Sequence, residues 1–233
     1  MGNPGAGRNL LAALDDAQRE AFVGLCRWKS YLRHEIILHQ EESSSDIYFV
    51  VSGLVSAKGF SADGREVIYN EIGAGGFFGE FSAIDGQPRS ATIEALEDTR
   101  IGCMSSRDFR EALLKFPQVA LQLVEELVRK NRMLTLRVFE YSTMLVRERL
   151  LAELVRMTVS SGSQHVIDPA PSHQEFAARI GTHREAVSKE FSKLVRGGVI
   201  KTGRRRIVVI DMPRLQGRVP LHEQSALMKE PPS

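Results

Sequence analysis

The sequence predicts an α+β protein: a roll of short strands comes first, then one long helix, then a pair of short helices followed by a β-hairpin. Short β-forming segments separated by turns fill residues 28–105, a pattern typical of barrels, sandwiches and rolls. After Pro117, residues 118–157 contain neither Pro nor Gly, which favours continuous helix. Near the C-terminus two apolar-faced segments flank Gly181, which permits a tight turn between helices. The chain has 233 residues, 42% of them hydrophobic, enough for two domains with packed cores.

The predicted elements of the roll follow one another closely. We expect residues 1–14 to be a flexible N-terminus and residues 15–116 to form the β-roll domain, which begins with a short helix at residues 15–26. Turn signals such as Ala62-Asp63-Gly64 separate the strands that follow. These strands are predicted at residues 46–51, 54–60, 66–72, 91–95 and 99–104.

Charge and cysteine content exclude several classes of protein. The formal net charge is only +2, so a DNA-binding surface would have to be local. The two cysteines, Cys26 and Cys103, are too few for a disulfide framework or a cysteine-held iron–sulfur cluster, and we expect no bound metal.

The N-terminus lacks the apolar segment of a secretory signal, and no apolar run has membrane-spanning length. We therefore expect a cytoplasmic protein that does not associate with membranes.

An apolar repeat along residues 117–145 indicates a dimerisation helix. Spacings of three and four residues form the seam of a coiled coil, and the repeat is longer than one small domain covers, so we predict a homodimer. A helix that packs only on its own β-roll is the alternative. A bend near Thr143 is expected before a second helix at residues 147–157. The seam consists of Val124, Leu127, Asn131, Leu134, Val138, Tyr141 and Leu145.

Residues 75–92 combine the groups that bind a sugar phosphate. Glycines such as Gly79 let the backbone approach a ligand closely, and a short helix that opens at Glu80 adds the positive end of a helix dipole. Arg89 offers a planar fork that suits phosphate, whereas the Glu80 carboxylate suits a sugar hydroxyl. A phosphate beside a neutral diol indicates a nucleotide. A glycine-rich hairpin with a surface Glu–Arg ion pair is the alternative.

The runs Phe78-Gly79-Glu80 and Arg89-Ser90-Ala91 resemble the phosphate-binding cassette of cyclic-nucleotide-binding domains, whose core is FGE, a spacer and RSA. The resemblance implies that Glu80 binds the ribose 2′-hydroxyl. It also implies that Arg89 and Ser90 bind the cyclic phosphate, with help from neighbouring backbone groups. The predicted nucleotide-binding residues are Gly79, Glu80, Phe81, Arg89, Ser90, Ala91, Thr92, Asn131, Leu134 and Thr135.

The resemblance leaves the base open between adenine and guanine. In the family, polar side chains of the long helix contact the base, one of them from the partner subunit, and alignment from Pro117 puts these positions at Leu134 and Thr135. Only Thr135 carries a hydroxyl. Ser90 and Thr92 lie by the phosphate, where a hydroxyl also suits the amino group of a syn guanine. We therefore expect cAMP or cGMP as the allosteric ligand.

Residues 172–195 predict a helix-turn-helix. Apolar residues line the inner faces of two helices, and Gly181 supplies the turn between them. Residues 184–206 contain eight basic and two acidic residues, a local excess that suits DNA phosphates. A solvated basic face is the alternative. The second helix is expected to present its first turns outward, where a recognition helix meets base edges. These outward side chains are Arg184, Glu185, Ser188 and Lys189.

The same residues resemble the winged helix of the CRP/FNR superfamily, whose recognition helix carries Arg-Glu and, four residues later, a second Arg. This sequence has Arg184, Glu185 and Lys189, and lysine lacks the fork with which arginine contacts guanine. The resemblance implies a palindromic, TGTGA-like operator in double-stranded DNA and RNA polymerase as a further partner. The DNA-binding domain is expected at residues 146–215, before a C-terminal tail at residues 216–233. The predicted DNA-binding residues are Ser172, His173, Thr182, His183, Arg184, Glu185, Ser188, Lys189, Lys193, Lys201 and Arg204.

Three alternative functions fit part of the sequence. A metal enzyme would use His34 and His39 with Glu41 or Glu42, but no catalytic motif accompanies them, and we expect no enzyme. A cyclic-nucleotide regulatory subunit that controls a protein partner would leave the helix-turn-helix unexplained. A regulator whose β-roll is empty or binds another effector is the third alternative, and the apolar Leu134 favours it.

Overall fold

The computed structural model describes residues 9–61, 64, 66–162 and 164–217. The chain divides into two compact units, Met1–Met133 and Leu134–Ser233. This division falls inside the long helix, whereas the sequence predicted boundaries at the two ends of that helix. Within the described residues, none of the helices combines the length and the apolar character needed to cross a membrane. The predicted α+β fold class is confirmed.

The first unit is a β-roll with helices before and after it. Two four-stranded antiparallel sheets form the roll, in the orders β1-β8-β3-β6 and β2-β7-β4-β5. The predicted strands are present, and β1, β2, β6 and α3 are additional. The elements are α1 (Asp16–Val23), β1 (Arg27–Tyr31), β2 (Ile36–Leu38), β3 (Ile47–Ser52), β4 (Leu54–Phe60), β5 (Glu66–Gly73), β6 (Phe77–Phe78), α2 (Glu80–Asp85), β7 (Thr92–Ala95), β8 (Thr99–Met104), α3 (Ser106–Lys115) and most of α4 (Pro117–Thr143).

Strand β3 separates two cores because its side chains alternate between its two faces. Tyr48 and Val50 face the other sheet and pack among the apolar residues inside the roll. Ile47 and Phe49 face the opposite way and pack with α1, α3 and the start of α4. One strand therefore joins the interior of the roll to the helices that flank it.

The N-terminal segment is ordered from residue 9, which corrects the expectation of a flexible stretch over residues 1–14. Leu10 and Leu14 are buried with the helical core of the first unit, and the turns that precede α1 bring them there. Residues 1–8 lie outside the described part. Helix α1 is also shorter than expected. Asp15 caps it together with Gln18, and it ends at Val23, before Gly24.

The predicted seam on α4 is partly wrong in the first unit. Leu127 is half-buried and packs against its own helical core, whereas Val124 is exposed, as the seam requires. Leu121 and Val128, which the seam does not include, are exposed as well. A repeat of three and four fits both sets of positions, and only the packing of α4 on the roll distinguishes them.

The second unit contains the end of α4, four further helices and one antiparallel sheet in the order β11-β12-β10-β9. The bend after Thr143 occurs where the sequence predicts it. Gly162 lies in a turn directly after β9. Residues 218–233 of the predicted tail lie outside the described part, whereas its first residue, Gln216, ends α8. The elements are α5 (Val146–Met157), β9 (Val159–Ser161), β10 (Gln164–Ile167), α6 (His173–Ile180), α7 (Arg184–Arg196), β11 (Ile200–Gly203), β12 (Arg206–Val209) and α8 (Met212–Gln216).

A buried ion cluster joins the last turns of α4 to α5 and α6. The carboxylates of Glu140 and Glu153 are at most 3% exposed. Arg137 donates to both, at 3.2 Å and 2.9 Å, and Arg156 also donates to both. Arg179, on α6, lies 3.7 Å from Glu153. Burial alone would raise the pKa of Glu153, but the surrounding arginines outweigh it and lower that pKa.

We predict that Glu153→Gln destabilises the protein by about 3 kcal/mol at pH 7, because it leaves buried arginines without their carboxylate. The folded pKa of Glu153 lies below its unfolded value, about 4.3, so its contribution is fully present above that value and is lost as the pH falls through the folded pKa. Urea unfolding at pH 7 and at pH 4 measures both effects.

The matched control is Glu111→Gln, which removes an exposed carboxylate paired with Arg107. Its effect is expected to be below about 0.5 kcal/mol. Equal losses in Glu153→Gln and Glu111→Gln would show that the buried cluster contributes no more to stability than a surface ion pair does.

Candidate functional site

The glycine-rich segment forms a tight junction between β6 and α2. Gly79 adopts a left-handed conformation, with φ of 83°, and caps the N-terminus of α2. A Cβ atom at Gly79 would lie 2.7 Å from Arg89 Nη1 and 2.8 Å from the Asp46 carbonyl oxygen. Both the conformation and the space therefore require glycine here. Helix α2 opens at Glu80, as the sequence predicts.

Arg89 is buried, with 2% of its surface exposed. Its Nε donates to Ser44 Oγ at 2.8 Å, its Nη2 to the Asp46 carbonyl at 2.8 Å, and its Nη1 to the Gly79 carbonyl at 3.3 Å. The guanidinium also lies 5.5 Å from the centre of the Tyr48 ring. All three acceptors are uncharged, so among the described residues the guanidinium has no carboxylate partner within hydrogen-bonding distance.

Glu80 is also buried, and it has a cationic partner that the sequence analysis did not identify. Lys130, on α4, donates from Nζ to Glu80 Oε1 at 2.8 Å and lies 4.5 Å from the centre of the Phe77 ring. The Glu80 side chain is 7% exposed and that of Lys130 is 20% exposed. This ion pair neutralises the carboxylate. A lysine on a long amphipathic helix gives no local signal of such a role.

The other predicted nucleotide-binding residues differ in exposure. Ser90 and Phe81 are exposed and Ala91 is half-buried. Thr92 is buried, and its Oγ1 accepts a hydrogen bond from the Gln40 backbone at 3.1 Å. Asn131, in the first unit, and Leu134 and Thr135, in the second, are exposed on α4. The structure therefore brings together Gly79, Glu80 and Arg89 with the added residues Ser44, Asp46, Tyr48, Phe77 and Lys130.

The histidines considered for a metal enzyme do not form a metal centre in the described part of the chain. His34 Nδ1 lies 3.1 Å from Glu94 Oε1, and Glu94 also pairs with Lys58. No group of three or more His, Cys, Asp or Glu side chains among the described residues has the arrangement of a metal site.

The helix-turn-helix consists of α6, a short turn and α7. Ser172 and Glu175 form a reciprocal capping box at the start of α6, which fixes its first turn. Gly181 ends that helix with φ of 62°, and the Tyr141 ring occupies the space beside it, 3.0 Å from where a Cβ atom would lie. Phe176 and Phe191 pack between the two helices, with ring centres 5.3 Å apart.

Most of the predicted DNA-binding side chains lie on the surface. On α7, Arg184, Glu185 and Lys189 are exposed, and Lys193 is exposed but paired with Glu190 at 2.6 Å. Ser188 differs from the expected outward position: it is half-buried, and its Oγ lies 2.8 Å from His173 Nδ1. In the turn Thr182 is half-buried. The other exposed members of the set are Ser172, His183, Lys201 and Arg204.

Two family models match the two parts of the chain. A model described as the cyclic nucleotide-binding domain matches residues 28–116. A model described as the Crp-like helix-turn-helix domain matches residues 148–218. The first range contains Glu80 and Arg89, and the second contains α6 and α7.

Similarity to known proteins extends along most of the chain. The chain is 30% identical over 173 residues to the Cyclic AMP receptor protein of Thermus thermophilus, covering 74% of this chain and 79% of that protein. It is 26% identical over 196 residues to the cAMP-activated global transcriptional regulator CRP of Haemophilus influenzae, covering 81% and 86%. Among solved structures, a CooA mutant from Carboxydothermus hydrogenoformans shares the fold with a TM-score of 0.78 at 21% identity, over 90% of this chain and 94% of that one.

These matches are to transcription regulators and not to enzymes. They agree with the two halves found in the structure, a roll with a glycine-rich junction before α2 and a helix-turn-helix followed by a basic hairpin. The chain belongs to the CRP/FNR superfamily of DNA-binding transcription regulators.

Proposed function

We propose that the protein is a homodimeric regulator whose binding to a palindromic operator is controlled by a cyclic nucleotide in the β-roll. The observation that carries the ligand half of this proposal is the buried guanidinium of Arg89. Its hydrogen-bond acceptors are all neutral, and Glu42 interacts with it only through its charge. A buried cation without a hydrogen-bonded carboxylate is costly, and an anionic ligand reduces that cost.

The geometry of Arg89 suits a phosphate. A guanidinium has five N–H donors, and the three hydrogen bonds to Ser44, Asp46 and Gly79 use one on each nitrogen. One N–H therefore remains on Nη1 and one on Nη2, and both can donate to the oxygens of a phosphate. The neutral acceptors hold the fork in place without competing for its charge.

The ion pair between Lys130 and Glu80 explains how a carboxylate fits beside an anionic ligand. Lys130 offsets the charge of Glu80, so the second carboxylate oxygen is available to accept from a ribose hydroxyl without strong repulsion of the phosphate. This arrangement favours a nucleotide over inorganic phosphate, because a simple anion gains nothing from Glu80.

The proposal includes cAMP and cGMP as candidate ligands. The names of both relatives, the Cyclic AMP receptor protein and the cAMP-activated regulator CRP, refer to cAMP, which favours adenine. Thr92 Oγ1 accepts one hydrogen bond from Gln40, and a hydroxyl oxygen has a second lone pair that suits a guanine amino group. The apolar Leu134 supports the alternative that the roll of this regulator binds a different effector or none.

We predict that Arg89→Ala weakens cyclic-nucleotide binding by about 10- to 100-fold, as expected for the loss of a charge-assisted hydrogen bond worth about 1.5–3 kcal/mol. Calorimetric titration of nucleotide-free protein with cAMP and then with cGMP measures the effect and identifies the preferred base. Thermal unfolding checks that the variant is folded.

Arg107→Ala is the matched control, since Arg107 is an exposed arginine paired with Glu111 on α3, and we expect it to bind ligand normally. Normal binding by Arg89→Ala would remove Arg89 from the site. Failure of folded wild-type protein to bind either nucleotide would support the alternative of a different effector or none.

The DNA half of the proposal rests on the exposed side chains at the start of α7. Arginine pairs well with guanine, and glutamate accepts from the amino group of cytosine, so Arg184 and Glu185 are proposed to read a TGTGA-like half-site. Lys189 is proposed as a further base contact, and the basic residues Lys201 and Arg204 of the hairpin as phosphate contacts. RNA polymerase is proposed as a partner of the DNA-bound protein.

We predict that Arg184→Ala weakens binding to the cognate operator by about 1–3 kcal/mol and leaves nucleotide affinity unchanged. Fluorescence anisotropy with an operator selected from randomised duplexes measures the first effect, and calorimetry measures the second. A loss of the same size on non-specific DNA would indicate a phosphate contact instead of base reading.

The homodimer is proposed to form through exposed apolar residues of α4. These are Leu121, Val124 and Val128 in the first unit, and Leu134 and Val138 in the second. Exposed apolar residues at this spacing indicate an unfilled helix–helix interface.

We predict that Val124→Glu combined with Val138→Glu converts the wild-type dimer to a monomer at micromolar concentration, because four charges would be buried at the paired helices. Sedimentation equilibrium measures the mass. Leu114→Glu on α3, a position that is 83% exposed, is the control and is expected to remain dimeric. A dimeric double variant would place the interface elsewhere.

A further inference from the structure

His173 and Ser188 form a polar contact between the two helices of the helix-turn-helix. His173 is the first residue of α6, and its Nδ1 lies 2.8 Å from Ser188 Oγ on α7. The imidazole also packs on Phe191, with ring centres 4.6 Å apart at 35°. Ser188 and Phe191 are three residues apart and lie on the same side of α7, so one imidazole contacts that side at two points.

These contacts act far from the turn that joins the helices. The turn at Gly181 connects the end of α6 to the start of α7, whereas His173 connects the start of α6 to the middle of α7. Apolar packing between Phe176 and Phe191 is not directional, but a hydrogen bond depends on distance and angle. The pair therefore adds a directional contact that fixes the rotation and tilt of α7.

The imidazole is held near Arg184 in its uncharged form. Burial lowers the pKa of His173, and the charge of Arg184 lowers it further. The neutral ring has one nitrogen that donates and one that accepts, so Nδ1 suits the Ser188 hydroxyl in either direction. A neutral ring also leaves the Arg184 guanidinium without a second cation beside it.

We propose that His173 and Ser188 are a positioning pair that sets the angle of α7, and that neither side chain reads a DNA base. The inference rests on the proposed function of α7 as the helix that reads DNA. The base-reading set is then reduced to the exposed side chains Arg184, Glu185 and Lys189.

The test is a double-mutant cycle in the full-length protein. The probe is a DNA duplex that the wild-type protein selects from a randomised pool. The selection is carried out three times: with saturating cAMP, with saturating cGMP and without nucleotide. We expect His173→Gln and Ser188→Ala each to weaken operator binding by about 3- to 10-fold, the size expected for one hydrogen bond. The double variant is expected to lose no more operator affinity than whichever single variant binds more weakly, because both changes remove the same contact.

Two further variants distinguish positioning from direct contact. His173→Asn is expected to retain binding within about 2-fold, since the Asn side-chain amide reaches the position of Nδ1, whereas the Gln amide does not. Ser192→Ala removes a hydroxyl that donates to the Ser188 carbonyl at 2.9 Å and is the matched control, with binding expected to be unchanged. The operator selected by Ser188→Ala is expected to match that of the wild type.

Losses that multiply in the double variant would overturn the proposal, because independent DNA contacts behave in that way. A changed base preference at one operator position in Ser188→Ala would also overturn it. The same cycle is measured by urea unfolding without DNA. If the two side chains contact each other, their substitutions have coupled effects on the free energy of unfolding. Absence of that coupling overturns the pair itself, whereas failure of the wild type to select any duplex would contradict only the proposed role of α7.

Discussion

The first unit depends on the burial of one guanidinium, that of Arg89, among uncharged oxygen atoms. The hydroxyl of Ser44 and the carbonyls of Asp46 and Gly79 hold it, so the loop before β3 and the junction before α2 both take their positions from this side chain. Gly79 must be a glycine because a Cβ atom there would collide with Arg89. A positive charge kept in this way is costly for folding and is suited to a phosphate, so the stability of this unit and its proposed ligand binding depend on the same atoms.

The second unit also buries charged groups, but here the buried carboxylates are paired with arginines. Glu140 and Glu153 bring arginines from α4, α5 and α6 together, and Tyr141 of α4 packs beside the turn at Gly181. The turn leads directly into α7, so the orientation of the proposed recognition helix depends on the end of α4. Helix α4 therefore carries Lys130, which pairs with Glu80 in the first unit, and Glu140, which belongs to the ion cluster of the second unit.

Sequence reasoning succeeded where local structure depends on residues that are neighbours along the chain. Gly79 and Glu80 belong to one tight junction, Ser172 and Glu175 to one capping box, and the helices on either side of Gly181 to one turn. It failed where two positions fit a pattern equally well. The repeat on α4 allowed Leu127 on the exposed side, but the packing of the helix on the roll turns Leu127 inward. Leu10 gave no periodic signal, and its burial depends on a core formed by residues distant in the sequence.

The sequence by itself determined the fold class and the order of roll, long helix and helix-turn-helix, because these follow from local turn chemistry and from periodicity. Tertiary structure alone decided which side chains complete each site. Lys130 reaches Glu80 across 50 positions of sequence, and His173 reaches Ser188 across 15. Such contacts are made by the packing of one element on another, and the spacing of residues within a single element carries no information about which distant side chain will fill the space opposite it.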